Sequence, residues 1–138
     1  MKYIIFMLIA VLATGTLCAQ KISSKKVPAS VSKVFHLKYA HIKKAKWEME
    51  NGNYEAEYDE NGVEHSVLFK ADGTIIETEV EIAIHQLPKA VIEYVSKNMK
   101  GKKIKEASII TEANGKKKYE AEVGGTDYLF DESGNIIK

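Results

Sequence analysis

The chain has 138 residues, with 20 lysines and no arginine against 19 acidic residues, four histidines and one cysteine. There is no basic field to hold a nucleic acid backbone, and without arginine no bidentate clamp on phosphate or carboxylate can form. A lone cysteine rules out an internal disulfide framework, so the fold must stand on its core alone; at this length that means one domain burying about two-thirds of its surface.

The first element is not part of the fold. Lys2 is a short positive start, Tyr3 to Ala13 is apolar and uncharged, and Thr14 to Ala19 is mostly small. This pattern reads as a secretory signal peptide over residues 1–19, cleaved near Ala19. Its apolar run falls short of the roughly 20 residues that span a membrane. Lipid attachment at Cys18 is the alternative, and the bulky Leu17 before it disfavours that route. The mature chain is therefore expected in the periplasm or outside the cell, with no membrane span. Cys18 and Lys2 leave with the leader, so 19 lysines face 19 acids and the net charge is near zero.

Residues 20–26 (QKISSKK) are polar and read as a loose segment. Two units follow, at 27–86 and 87–138. Each opens on an apolar residue and a proline, Val27-Pro28 and Leu87-Pro88, where proline suits a first helical turn. Val27, Val31, Val34, Phe35 and Tyr39 make one apolar stripe. Leu87, Ala90, Val91, Tyr94, Val95 and Met99 make a second, which Gly101 ends.

Alternation follows each helix, and the turns give a register. Asn51-Gly52 pairs Met49 with Tyr54, Trp47 with Ala56 and Ala45 with Tyr58. Asn61-Gly62 pairs Ala56 with Val67 and Tyr54 with Phe69. Asp72-Gly73 pairs Phe69 with Ile76 and Val67 with Thr78. All of these keep one apolar face, which a slip of one residue would break. In the second unit Gly124-Gly125 pairs Ala121 with Tyr128 and Tyr119 with Phe130, and Ser133-Gly134 pairs Phe130 with Ile137. The hairpin at Asn114-Gly115 is three residues longer than its counterpart, so a bulge or odd-length loop is expected there, placing Ile109 opposite Ala121. The fold class is α+β: two tandem α-β-β-β-β repeats forming one antiparallel sheet of about eight strands, with both helices on one face.

The stretch Tyr54-Glu55-Ala56-Glu57 recurs at Tyr119-Glu120-Ala121-Glu122. Ile42-Lys43-Lys44-Ala45 is echoed by Ile104-Lys105-Glu106-Ala107, and Val67-Leu68-Phe69 through Gly73 by Tyr128-Leu129-Phe130 through Gly134. With the two proline-led helices, these motifs cover 27–138 and resemble the PepSY-like, β-lactamase-inhibitor-like family of exported bacterial proteins. The resemblance implies a tandem α/β fold with a broad open sheet face. In the β-lactamase inhibitory protein that face grips an enzyme, and PepSY domains are suggested to restrain secreted peptidases.

The residues themselves offer little chemistry. His36 and His41 are five apart, not the four of a helical metal pair. Ser66 adjoins His65, but neighbours on a strand point to opposite faces. The pairs Glu55/Glu57, Glu77/Glu79 and Glu120/Glu122 sit on a face with no second layer to bury and tune them. Asp59-Glu60-Asn61-Gly62 and Asp131–Asn135 look faintly like calcium loops, yet turn chemistry explains them. No catalytic residue, metal site or cofactor is nominated, and the chain reads as no enzyme.

The sheet face turned away from the helices is the remaining feature. It is expected to carry Lys44, Lys46, Glu48, Glu55, Glu57, Leu68, Glu77, Glu120, Glu122 and Leu129, with Glu79 among them. Leu68 and Leu129 hold equivalent repeat positions and would centre a patch with a polar rim. The function this supports is a binding module for a protein of the periplasm or envelope, such as a hydrolase that it inhibits or modulates. The alternative is a carrier of a small ligand or cation. The short, charged edge at Gly134–Lys138 is compatible with a monomer or a weak dimer.

Overall fold

A computed structural model describes residues 20–137; the expected leader lies outside them. Tight turns set its plan. Asn51-Gly52, Asn61-Gly62 and Gly124-Gly125 all have positive φ at both positions, between 51° and 81°. That is the two-residue hairpin turn whose twist matches the strands on either side. Gly73, Gly115 and Gly134 close three-residue loops instead, their N–H groups bonding to Lys70, Glu112 and Asp131 carbonyls at 2.8–2.9 Å.

The strands are β1 (Gln20–Ile22), β2 (Lys46–Glu50), β3 (Asn53–Glu60), β4 (Val63–Phe69), β5 (Ile75–Glu81), β6 (Ile104–Glu112), β7 (Lys117–Val123) and β8 (Asp127–Asp131). The helices are α1 (Ala29–Lys38) and α2 (Lys89–Asn98). All eight strands form one antiparallel sheet in chain order. This is the expected α+β architecture with the expected number of strands.

One of the eight strands is not an expected one, and one expected strand is missing. Residues 20–26 carry β1 and a single 3-10 turn at Ser24–Lys26, not a loose segment. At the other end only Ile136 bridges to Phe130, so Gly134–Lys138 adds no full strand among the described residues. β1 repeats the inner end of β5: Gln20, Lys21 and Ile22 face Met49, Glu48 and Trp47, and Val80 and Glu81 face Ile109 and Ser108, all 60 residues later. Ile82 completes the match by bonding to Ala107 O at 2.8 Å. The elements therefore run strand, 3-10 turn, helix and three strands, twice; the helix-first unit is the same set cut one strand later.

Most of the register is as the turns imply. Met49 faces Tyr54, Trp47 faces Ala56, Ala56 faces Val67 and Tyr54 faces Phe69. Ala121 faces Tyr128 and Tyr119 faces Phe130. Four positions differ. Ala45 precedes β2 and does not pair with β3. Phe69 faces Ile75, because a bulge at Leu68/Phe69 absorbs the residue that the three-residue loop adds. Phe130 likewise faces Ile136 in place of Ile137. Ala107, not Ile109, faces Ala121; the odd-length loop is present at Gly115, but the compensating bulge sits at Ile104/Glu106, the far end of β6.

The core divides under the two helices. Val31 and Phe35 pack on Trp47, Tyr58, Val67 and Phe69. Val91 and Val95 pack on Ala107, Ala121, Val123 and Phe130. Phe35 sits at 5.3 Å edge-on to Trp47, and Tyr94 at 5.6 Å edge-on to Phe130. Such pairs add about 0.5–1.5 kcal/mol beyond their burial.

Candidate functional site

With the apolar side of every strand spent on the helices, the alternate residues meet on the other side of the sheet. Glu48 faces Glu55, Glu55 faces Leu68, and Leu68 faces Glu77. Glu79 lies between Ser66 and Ile110, and Glu120 between Ser108 and Leu129. The face is concave. Two adjoining hollows of about 380 and 340 Å³ share Glu55, Ser66, Glu79, Glu120 and Asp127, and the second is floored by Leu68, Ile110 and Leu129. Ile110 is only 5% exposed although it points away from both helices, and Ser66 only 9%.

The expected residues divide accordingly. Glu48, Glu55, Glu57, Leu68, Glu77, Glu120, Glu122 and Leu129 stand on this face, all partly buried. Lys46 is exposed and bonds Glu57 at 3.2 Å across the strand pair. Lys44 precedes β2 and lines an adjoining cleft with His41, Lys43, Lys46, Glu57 and Glu64, the last two of which also line the first hollow. Ile110, Ser108 and Asp127 were not among the expected residues, yet they line the trough. The alternation around Ile110 marks it; nothing local distinguishes its burial.

Curvature supplies the burial that a flat sheet would lack. Burial pushes Glu79 up to about 7, against a hydrogen bond from Ser108, with the charge of Glu55 adding to it. Burial pushes Glu120 up to about 8, with Glu79 and Asp127 adding to it. Glu55 is raised by burial in spite of a bond to Ser66, and Glu77 by burial in spite of Lys118. These acids therefore depart from the expected solvated face.

The other candidates resolve into local structure. Asp131 Oδ1 accepts the Ser133 and Asn135 N–H groups at 2.9 and 2.8 Å, and Asp59 Oδ1 accepts Gly62 N–H at 3.0 Å. His41 pairs with Glu60 at 2.7 Å, His36 Nδ1 contacts Ser32 O at 2.7 Å, and His65 stacks on Tyr58. Among the described residues no three His, Cys, Asp or Glu side chains converge as metal ligands. No helix there is long and apolar enough to cross a membrane.

Residues 17–77 and 53–138 match the family described as "Putative beta-lactamase-inhibitor-like, PepSY-like". Among solved structures, a DUF2874 family protein from Bacteroides uniformis is 19% identical, with TM-score 0.67 over 80% of this chain and 86% of its own. A structure described as "putative periplasmic proteins" from Bacteroides eggerthii is 17% identical, with TM-score 0.70 over 81% and 86%. A BLIP-like protein from Bacteroides fragilis is 23% identical, with TM-score 0.59 over 80% and 84%. At these identities the likeness concerns the fold alone. No curated protein matches the chain.

Proposed function

The chain belongs to the PepSY-like, β-lactamase-inhibitor-like family, and on that premise we propose that it is an exported, non-enzymatic binding module. Its concave sheet face takes a protein of the periplasm or envelope, and inhibition or modulation of a hydrolase there is the version that the family description favours. One observation carries this reading: Leu68, Ile110 and Leu129 form an apolar floor inside a carboxylate wall, on a face that neither helix covers. An apolar centre within a polar rim is the layout of a protein interface.

The test is crosslinked capture from the envelope of the native bacterium, using the exported protein beside its Leu68→Asp/Leu129→Asp variant. Both leucines are partly buried on the face opposite the core, so the variant should fold. A partner held by the wild type and lost in the variant supports the reading; equal capture by both rejects this face.

A small-ligand or cation carrier is the second reading, favoured by the 380 Å³ hollow, which is within the size range of ligand pockets. Calorimetry with millimolar calcium and zinc tests it, and a flat response to both ions removes the cation version.

A further inference from the structure

Floor and wall of the trough call for different groups on a partner. The wall acids Glu55, Glu79 and Glu120 stand on alternate strands β3, β5 and β7. Strands lie about 4.8 Å apart, so these carboxyls repeat at roughly 10 Å across the sheet, and neighbours along one strand at roughly 7 Å. That spread is too wide for one ion. It suits cations carried at intervals by one chain, since about 10 Å separates residues i and i+3 on one side of a polyproline-type segment, or i and i+7 of a helix.

The charges on this face are unevenly matched. β1 contributes Lys21; β2 Lys46, Glu48 and Glu50; β3 Glu55, Glu57 and Asp59; β4 Glu64; and β5 Glu77, Glu79 and Glu81. β6 contributes Glu106 and Glu112, β7 Lys118, Glu120 and Glu122, and β8 Asp127 and Asp131. Of the three lysines of the face, Lys46 is engaged with Glu57 and Lys118 with Glu112, and Lys21 stands at the β1 edge opposite Glu48. Lys105, at the rim, reaches Glu106 and Glu122. Among the described residues, Glu55, Glu77, Glu79, Glu120 and Asp127 have no ion-pair partner. A chain with as many mature lysines as acids leaves the centre of this trough without a cation.

Resting on the reading of this face as the partner surface, we propose that the partner enters the trough with a lysine- or arginine-rich segment, whose cations pair with the central carboxyl groups. The floor leucines and Ile110 then receive the apolar side chains between those cations. Protons held in part at neutral pH, as burial of Glu79 and Glu120 dictates, leave when the cations arrive. Affinity must then rise with pH, by up to tenfold per pH unit for each proton displaced.

The experiment is calorimetric titration of the exported protein with a hexa-arginine peptide at low salt, at pH 6 and pH 8, beside the Glu79→Gln/Glu120→Gln variant. The expected result is binding about tenfold or more tighter at pH 8, with both the affinity and its pH dependence reduced in the variant. Affinity equal at the two pH values, or unchanged in the variant, overturns the proposal. The two readings fail separately: a captured partner lost with the Leu68/Leu129 changes but indifferent to Glu79→Gln/Glu120→Gln keeps the face and removes the cationic segment.

Discussion

Gly73 and Gly134 hold the same place in the two halves, and each seats a three-residue loop beneath a helix. A methyl group built on Gly134 would lie 2.7 Å from Ala90 Cβ and 3.3 Å from Val91 N; on Gly73 it would lie 3.0 Å from Ser30 O. Ser30 Oγ also donates to Ala71 O at 2.6 Å, tying that loop to the first turn of α1. Gly52 has a comparable φ, 79°, but nothing within 4 Å of the added carbon. Gly52→Ala should therefore cost only the left-handed penalty, about 1–2 kcal/mol. Gly134→Ala adds a clash with α2 and should cost about 3 kcal/mol or more. Denaturant unfolding of the two variants checks this. Equal losses would mean that the loop–helix contact contributes nothing. Both glycines are legible in the sequence as turn residues. Their second task is not, because the helix they meet is some 43 residues earlier in the chain.

The same limit governs whole elements. Where Asn51-Gly52 and Asn61-Gly62 join strands by two-residue turns, turn type alone fixes the register, so β2, β3 and β4 can be paired from the sequence. Three-residue loops add an odd residue, and the chain chooses where to absorb it: at Leu68/Phe69 in one case and at Ile104/Glu106 in another, far from Gly115. β1 is hidden for a different reason. It is three residues long and its partner Trp47–Met49 lies across the whole of α1. Only its correspondence with Val80–Ile82 identifies it. These positions also rank the elements by stability. β1 pairs on one side only, through three residues, while β4 to β7 are flanked on both sides. Amide exchange of Lys21 should report local opening, orders of magnitude faster than that of Val67 or Ala121, which should exchange only on global unfolding. Protection of Lys21 equal to that of Val67 would show that β1 is locked by something other than its ladder. Short edges of this kind also keep an open sheet from pairing with its neighbours.

At the scale of the molecule, curvature turns an alternating pattern into a trough, and that is the part of the site that alternation cannot encode. Which residues share the face follows from period two; that Glu79 and Glu120 become buried, and Ile110 with them, follows from how far eight strands twist and coil together. The consequence is a stability that depends on pH in a definite direction. Glu79 and Glu120 hold protons more tightly when folded, up to about 7 and about 8 against an ordinary value of 4.5. Between those limits the native state carries more protons than the unfolded chain, so stability falls as pH rises. Asp72 and Asp131 act in the opposite sense: hydrogen bonds, from Thr74 and Asn135 respectively, hold both low, so their contribution is lost only under acid conditions. The maximum should therefore lie at about pH 4, between the ordinary aspartate and glutamate values. A tenfold change in proton affinity is worth about 1.4 kcal/mol, which moves Tm by about 4–8 °C in a domain near this size. Even after screening by the water in the trough, the two glutamates together should lower Tm by about 5 °C between pH 5.5 and 8.5. In Glu79→Gln/Glu120→Gln that slope should largely disappear, and at pH 8.5 the variant should be the more stable protein. A flat profile in the wild type, or an equal slope in the variant, would mean that the carboxyls are solvated and the sheet flatter than its lining implies.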